Sequence, residues 1–125
     1  MSHFTTIKTQ IKDIEALRPA VTELGLTLEA DTTARGYGGK NIAGDYVIRL
    51  KGLYDIALNR QPNGSHELTC DWWDGYVARE VGEKFGTLLQ LYGIHKAMRE
   101  ARSKGHVVQR RAQANGAIKL IITAA

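Results

Sequence analysis

The sequence predicts an α+β fold: a largely antiparallel sheet of about six or seven strands, with two main helical regions on one face. Three features carry that expectation. Strand-like segments follow one another through residues 45–73. Helical periodicity is confined to two stretches, about 13–24 and 76–104. Turn signals at "QPNGS" and at Asn115-Gly116 divide β-rich segments at spacings that suit hairpins. At 125 residues the chain is expected to form one domain, residues 1–125, long enough to bury a core without disulfides or a structural metal.

Taken in order, "HFTTIKTQI" is β-branched and mixed in polarity, and it reads as a first strand. Asp13 has the chemistry of a helix N-cap, followed by Ile14, Leu17, Val21 and Leu24 at helical spacing and a Gly25 stop. Pro19 sits inside that run, so the helix is expected to begin near Leu17 or to kink. "LTLEAD" resumes a strand, and the glycine-rich "ARGYGGKNIAGD" fits no regular element. "DYVIRL", a short "KG" turn, "YDIALNR", the "QPNGS" turn and "HELTCDWW" make an antiparallel meander.

From Tyr76 the period becomes helical, with Val77, Val81, Phe85, Leu88, Leu89 and Tyr92 on one face, continued by Leu91, Ile94 and Met98. Gly82, Gly86 and Gly93 interrupt it, each at about 1 kcal/mol against alanine, so two helical segments with a break near Gly86 are expected. Gly105 ends the helix. "HVVQRRAQ", Asn115-Gly116 and "AIKLIITA" then read as a hairpin with a two-residue type I′ loop. One helix between strands in each half of the chain suggests a ferredoxin-like split βαβ arrangement.

Composition narrows the function classes. The single cysteine, Cys70, excludes an intrachain disulfide and every cysteine-rich zinc pattern. The opening "MSHFTTIKTQ" has no apolar leader, and no run approaches the roughly 20 apolar residues of a membrane span. The cytoplasm or a plastid stroma is the expected compartment. The net charge of +4 is segregated: residues 1–94 carry 10 Lys+Arg against 12 Asp+Glu, and residues 95–125 carry 7 against 1. A basic end of this kind attracts an acidic protein, nucleic acid or anionic lipid, or serves solubility alone.

"CDWWDGY" concentrates a thiol, two carboxylates and three aromatic rings. As a metal site, His66, Cys70 and Asp71 offer too few ligands. As a nucleophile, Cys70 needs a base beside it, and His66 is four residues, roughly 13 Å, away along a strand. Packing is the expected role. On a strand Trp72 and Trp73 face opposite sides, one in the core and one left for a partner. Asp74-Gly75 reads as a turn, with Asp74 able to cap the helix that follows.

"RGYGGK" lacks both the Ser/Thr after lysine and the following helix that phosphate-binding loops need, so a surface loop is expected, with Tyr37 at its centre as a partner contact. Glu80 and Glu83 share a helix flank and are expected in solvent. His95 stands beside Tyr92 and Arg99 on one helical face, with no orienting acid identifiable. No catalytic residue, metal site or cofactor is assigned. A small enzyme would require a cleft joining His95 or His66 to carboxylates distant in sequence.

The candidate partner-binding set is basic. Lys96, Arg99, Arg102 and Lys104 end the long helix, and Arg110 and Arg111 stand on the next strand, facing opposite sides because they are consecutive. Binding of RNA or DNA is the alternative use of this set, although the terminal hairpin has no aromatic on which a base could stack.

The opening "MSHFTTIKTQIKD", the "CDWWDGY" block and "LLQLYGIHKAMREARSKGHVVQRR" resemble the hypothetical-chloroplast-reading-frame thirty-five family, a domain-of-unknown-function family of cyanobacteria, red-algal plastids and some other bacteria. The resemblance spans essentially the whole chain and carries over no catalytic residues. It implies a binding or assembly partner of a ferredoxin-type protein or an ATPase in phototrophs; with no coherent catalytic set beside the polarised basic end, a non-enzymatic interaction domain is expected.

Overall fold

Seven strands and three α-helices follow one another through residues 4–124, which the computed structural model describes. The strands are β1 (Phe4–Lys8), β2 (Thr27–Arg35), β3 (Asn41–Arg49), β4 (Ile56–Arg60), β5 (His66–Asp71), β6 (Val107–Ala112) and β7 (Ile118–Thr123). The helices are α1 (Ile14–Glu23), the single turn α2 (Ala78–Val81) and α3 (Gly86–Ser103). The α+β class, the antiparallel pairing and the number of strands are those expected. His3, the first residue of the expected opening strand, lies outside the described residues.

The strands divide into a five-stranded sheet ordered β1-β5-β4-β3-β2 and a separate β6-β7 hairpin, every pair antiparallel. The second helical region thus leads into the hairpin rather than into a further strand of the main sheet, which is not split βαβ wiring. One face of the sheet, with Ile48, Ile56, Leu58, Leu68 and Cys70, packs under α1 and α3. The Tyr92 hydroxyl of α3 accepts the backbone N–H groups of Lys12 and Asp13 at 3.1 Å, tying α3 to the entry of α1.

Helix α1 starts at Ile14, ahead of Pro19, not near Leu17. The Asp13 carboxylate caps it, accepting from the N–H of Glu15 and Ala16, and burial of Ala16, Leu17, Ala20 and Val21 offsets the hydrogen bond lost at Pro19. Its end is a Schellman motif: Gly25, at φ 74°, bonds to the Thr22 carbonyl and Leu26 to that of Val21. The same pair of bonds closes α3, from Gly105 to the Arg102 carbonyl and from His106 to that of Ala101.

The glycine-rich stretch is not a free loop. It completes β2 and opens β3, and this hairpin folds back over the face of the sheet opposite the helices. Asp31 adopts φ 51°, and the ladder passes from Ala30↔Tyr46 to Thr32↔Gly44 without pairing Asp31. Beyond that point Ala34 packs with Val47 and Ala57. A Cβ on Gly36 would meet the Phe4 ring at 2.5 Å. The Tyr37 N–H donates to Asp71 Oδ2 at 3.2 Å, so the arm reaches from β2 across to β5.

Gly44 is where the arm turns. A Cβ there would lie 2.5 Å from the Tyr46 carbonyl oxygen and 3.2 Å from the Ala57 Cβ. Gly44→Ala is therefore expected to cost about 1–3 kcal/mol, seen as a lower urea midpoint at unchanged m-value.

Other expectations are corrected locally. The "KG" turn is a longer connection, residues 50–55, because Lys51 and Gly52 donate their N–H groups to Glu80 at 2.7 and 3.0 Å. Glu80 is thus a loop anchor rather than a solvated helix residue. Strand β5 stops at Asp71, so the tryptophans do not alternate on a strand: Trp72 lies 4.7 Å from Phe85 in ring centroids, and Trp73 is exposed. Asp74, at φ 54°, makes no helix cap. The helical break falls at residues 82–85, next to Gly86 as expected, with Lys84 and Phe85 in the left-handed region. In the terminal hairpin Gln113 and Ala117 close a three-residue loop, and Asn115 is not among the positive-φ residues, which excludes type I′. The "QPNGS" turn has the same build, with Gln61 and Ser65 closing around Gly64.

Candidate partner-binding surface

A two-stranded hairpin joined to no other strand buries little of itself. Most of β6 and β7 is exposed, and Ile118 is the residue that packs against the main core. The register pairs Val108 with Ile122, Arg110 with Leu120 and Ala112 with Ile118, and these share the face toward the body. The outer face carries Val107, Gln109, Arg111, Lys119, Ile121 and Thr123.

Arg110 and Arg111 do part company as their adjacency requires. Arg110 turns inward and grips Glu23, at the end of α1, through Nη1–Oε1 at 2.8 Å and Nη2–Oε2 at 2.6 Å. His95 of α3 adds Nε2–H to Oε1 at 2.9 Å, so His95 does have an acid partner. The Arg110 hydrogen bonds, opposed by partial burial and supported by His95, hold the Glu23 carboxyl down at about 2. Three elements meet at one carboxylate, and that clamp sets the attitude of the hairpin.

Arg111 points outward, directly opposite Lys119 in the ladder. Like charges at facing positions repel. Among the described residues neither has an ion-pair partner, and the same is true of Arg102 and Lys104 at the end of α3. All four are exposed. On the same outer face Val107 is 56% exposed, while Ile122, on the opposite face near the end of β7, is 47% exposed.

The rest of the basic set is partly spent within the chain. Lys96 pairs with Glu100 one turn on at 3.0 Å, and Arg99 reaches Asp13 at 3.6 Å. Tyr37 stands apart from all of these. It is exposed at the tip of the β2–β3 arm, its ring 5.8 Å from that of Trp73 in an edge-on contact. Lys119 escaped the sequence reading because a two-residue Asn115-Gly116 loop sets Arg111 opposite Leu120; the three-residue loop shifts the register by one and brings Lys119 opposite Arg111.

Cys70 is fully buried, and burial, with Asp71 beside it, pushes its thiol up to about 12. It packs in the core as a neutral side chain. Among the described residues no three His, Cys, Asp or Glu side chains gather as a metal-holding group, and no helix is long and apolar enough to cross a membrane.

Residues 20–121 match the model of a family described as "Protein of unknown function (DUF1257)". A protein of Pyropia yezoensis named "Uncharacterized protein ycf35" is 32% identical over 126 residues, covering 98% of this chain and 96% of the relative. A protein of the same name from Guillardia theta is 29% identical over 125 residues, with the same coverage. No solved structure matches.

Proposed function

The chain belongs to the family of proteins of unknown function DUF1257, and from that premise we propose that it is a non-enzymatic interaction domain whose terminal hairpin docks an acidic protein surface. One observation carries the reading: Arg111 and Lys119 face each other on an exposed strand pair, and among the described residues no acid pairs with either. An acidic partner relieves that repulsion, and complementary charge speeds the encounter. Arg102 and Lys104 widen the cationic field, and the exposed Val107, on the same face as Arg111 and Lys119, supplies apolar contact once the partner excludes water. The cytoplasm or plastid stroma is the compartment proposed. A ferredoxin-type protein is the first partner to try, and an ATPase the second.

The experiment is a binding titration of the full chain with a ferredoxin-type protein at low and high salt. Affinity is expected to fall as salt rises, and the double charge reversal R111E/K119E to weaken it by roughly tenfold or more. Equal affinity for wild type and the double variant removes the hairpin as the docking surface. A parallel titration with single-stranded RNA separates the alternative use of the same cations. Tight, steeply salt-dependent RNA binding lost in the same variant makes the basic end a nucleic-acid surface instead.

A further inference from the structure

A second feature lies away from the hairpin, where the entry to α1 meets the strands of the main sheet. A cavity of about 340 Å³ opens there, lined by Lys12, Asp31, Asp45, Tyr46, Arg60 and His66. These six side chains come from the lead-in to α1 and from β2, β3, β4 and β5.

His66 is only 3% exposed. Its Nδ1 lies 2.9 Å from the Ile11 carbonyl oxygen. A carbonyl only accepts, so the proton is assigned to Nδ1, and Nε2 of the neutral ring is left as an acceptor. Nε2 has no protein partner among the described residues, yet it is not sealed from solvent. The cavity is the opening that His66 lines. The Tyr46 ring stands edge-on to the imidazole, 6.2 Å away between centroids, and holds it in place.

Charges of both signs line the same space. Lys12 and Arg60 contribute two cations and Asp31 and Asp45 two carboxylates, yet none of the four forms an ion pair among the described residues. Asp45 Oδ2 accepts the Arg60 backbone N–H at 2.8 Å, which fixes that carboxylate. Ile14, the first residue of α1, stands on the rim. A metal ion is a poor match, because these residues do not converge as a ligand group.

We propose that this cavity is a binding site for a small zwitterion. The ligand's ammonium group donates to His66 Nε2 and to the carboxylates of Asp31 and Asp45. Its anionic group, a carboxylate or a phosphate, sits against Lys12 and Arg60. Both requirements follow from unmatched groups that face one space, and the reading stands independently of the hairpin.

The test is NMR of the full chain with the histidine imidazoles labelled with nitrogen-15, titrated with glycine and with phosphoethanolamine. Acetate, inorganic phosphate and methylammonium, each carrying charge of one sign only, are the controls. A saturable shift of the His66 Nε2 signal with either zwitterion, and none with the controls at equal concentration, supports the site. Which zwitterion acts assigns carboxylate or phosphate as the anionic group. The variant K12M/R60M alters exposed side chains, leaves the imidazole in place, and is expected to weaken that response by about tenfold or more. No shift with either zwitterion at tens of millimolar, an equal shift with a control, or full response in the variant overturns the proposal.

Discussion

Asp55→Ala is expected to be the most damaging single substitution outside the apolar core, at about 3–5 kcal/mol, the range found when one partner of a buried ion pair is removed. Asp55 is fully buried. Its Oδ2 accepts from the Arg35 backbone N–H at 2.9 Å, from Arg35 Nε at 2.8 Å and from Arg49 Nη1 at 2.9 Å. Its Oδ1 accepts from Arg35 Nη2 at 2.9 Å and the Leu50 N–H at 3.2 Å. Alanine leaves two guanidinium groups and two backbone donors facing a void. The Arg35 side chain is half-exposed and that of Arg49 about a quarter exposed, so both can turn partly to water, which places the cost toward the lower end of the range. Urea unfolding at neutral pH measures it. Arg35 also roots the β2–β3 arm, so the exposed Trp73 ring against Tyr37 is expected to change its fluorescence as the arm loosens. An unchanged midpoint would show that Asp55 is merely accommodated.

The acid dependence of the same group has a fixed sign. Burial pushes the Asp55 carboxyl up, but the hydrogen bonds from Arg35, Leu50 and Arg49 outweigh it and hold it below its ordinary range. A carboxyl depressed by folding stabilises the protein above its unfolded-state pKa, about 3.9, and loses that contribution as pH falls through the folded value. The difference in stability between wild type and D55A is therefore expected to shrink as the solution is acidified below about pH 4.

What could be read from the sequence is what neighbours in the chain decide. The Asp13 cap, the Gly25 and Gly105 stops, the "QPNGS" turn and the strands on either side of it depend on contacts within a few residues. The fold-back of the β2–β3 arm does not. It depends on Gly44 passing close to Tyr46 and Ala57, and on Gly36 meeting Phe4 from the far edge of the sheet. The basic end was legible as composition, but its division was not. Arg110 is consumed by a carboxylate 87 residues earlier, while Arg111 is set free by simple strand parity. The cavity around His66 drew on five separate segments, and no spacing rule joins them.

The hairpin's dependence on Glu23 gives the second large effect, a local one. Beside the clamp, β6 and β7 are held by the packing of Ile118 and of the half-buried Val108 and Leu120, by a long 3.5 Å contact from Gln90 Nε2 to the Gly116 carbonyl, and by the chain itself. An isolated two-stranded hairpin is marginal in water. Glu23→Gln keeps the shape of the side chain but removes the charge that Arg110 and His95 share. Amide exchange in residues 107–112 and 118–123 is expected to quicken by about fivefold for a pair worth about 1 kcal/mol, with the global unfolding midpoint nearly unchanged. In wild type the same loosening is expected on acidification, because a carboxyl held at about 2 keeps its contribution above an unfolded value near 4.5 and loses it between the two. Exchange rates equal to wild type would mean that apolar packing, not the clamp, fixes the hairpin. The variant also separates platform from charge in partner binding. E23Q leaves Arg111 and Lys119 intact and frees Arg110, so its binding should keep the salt dependence while weakening through the cost of ordering the hairpin. R111E/K119E should instead lose the salt dependence while the hairpin stays docked.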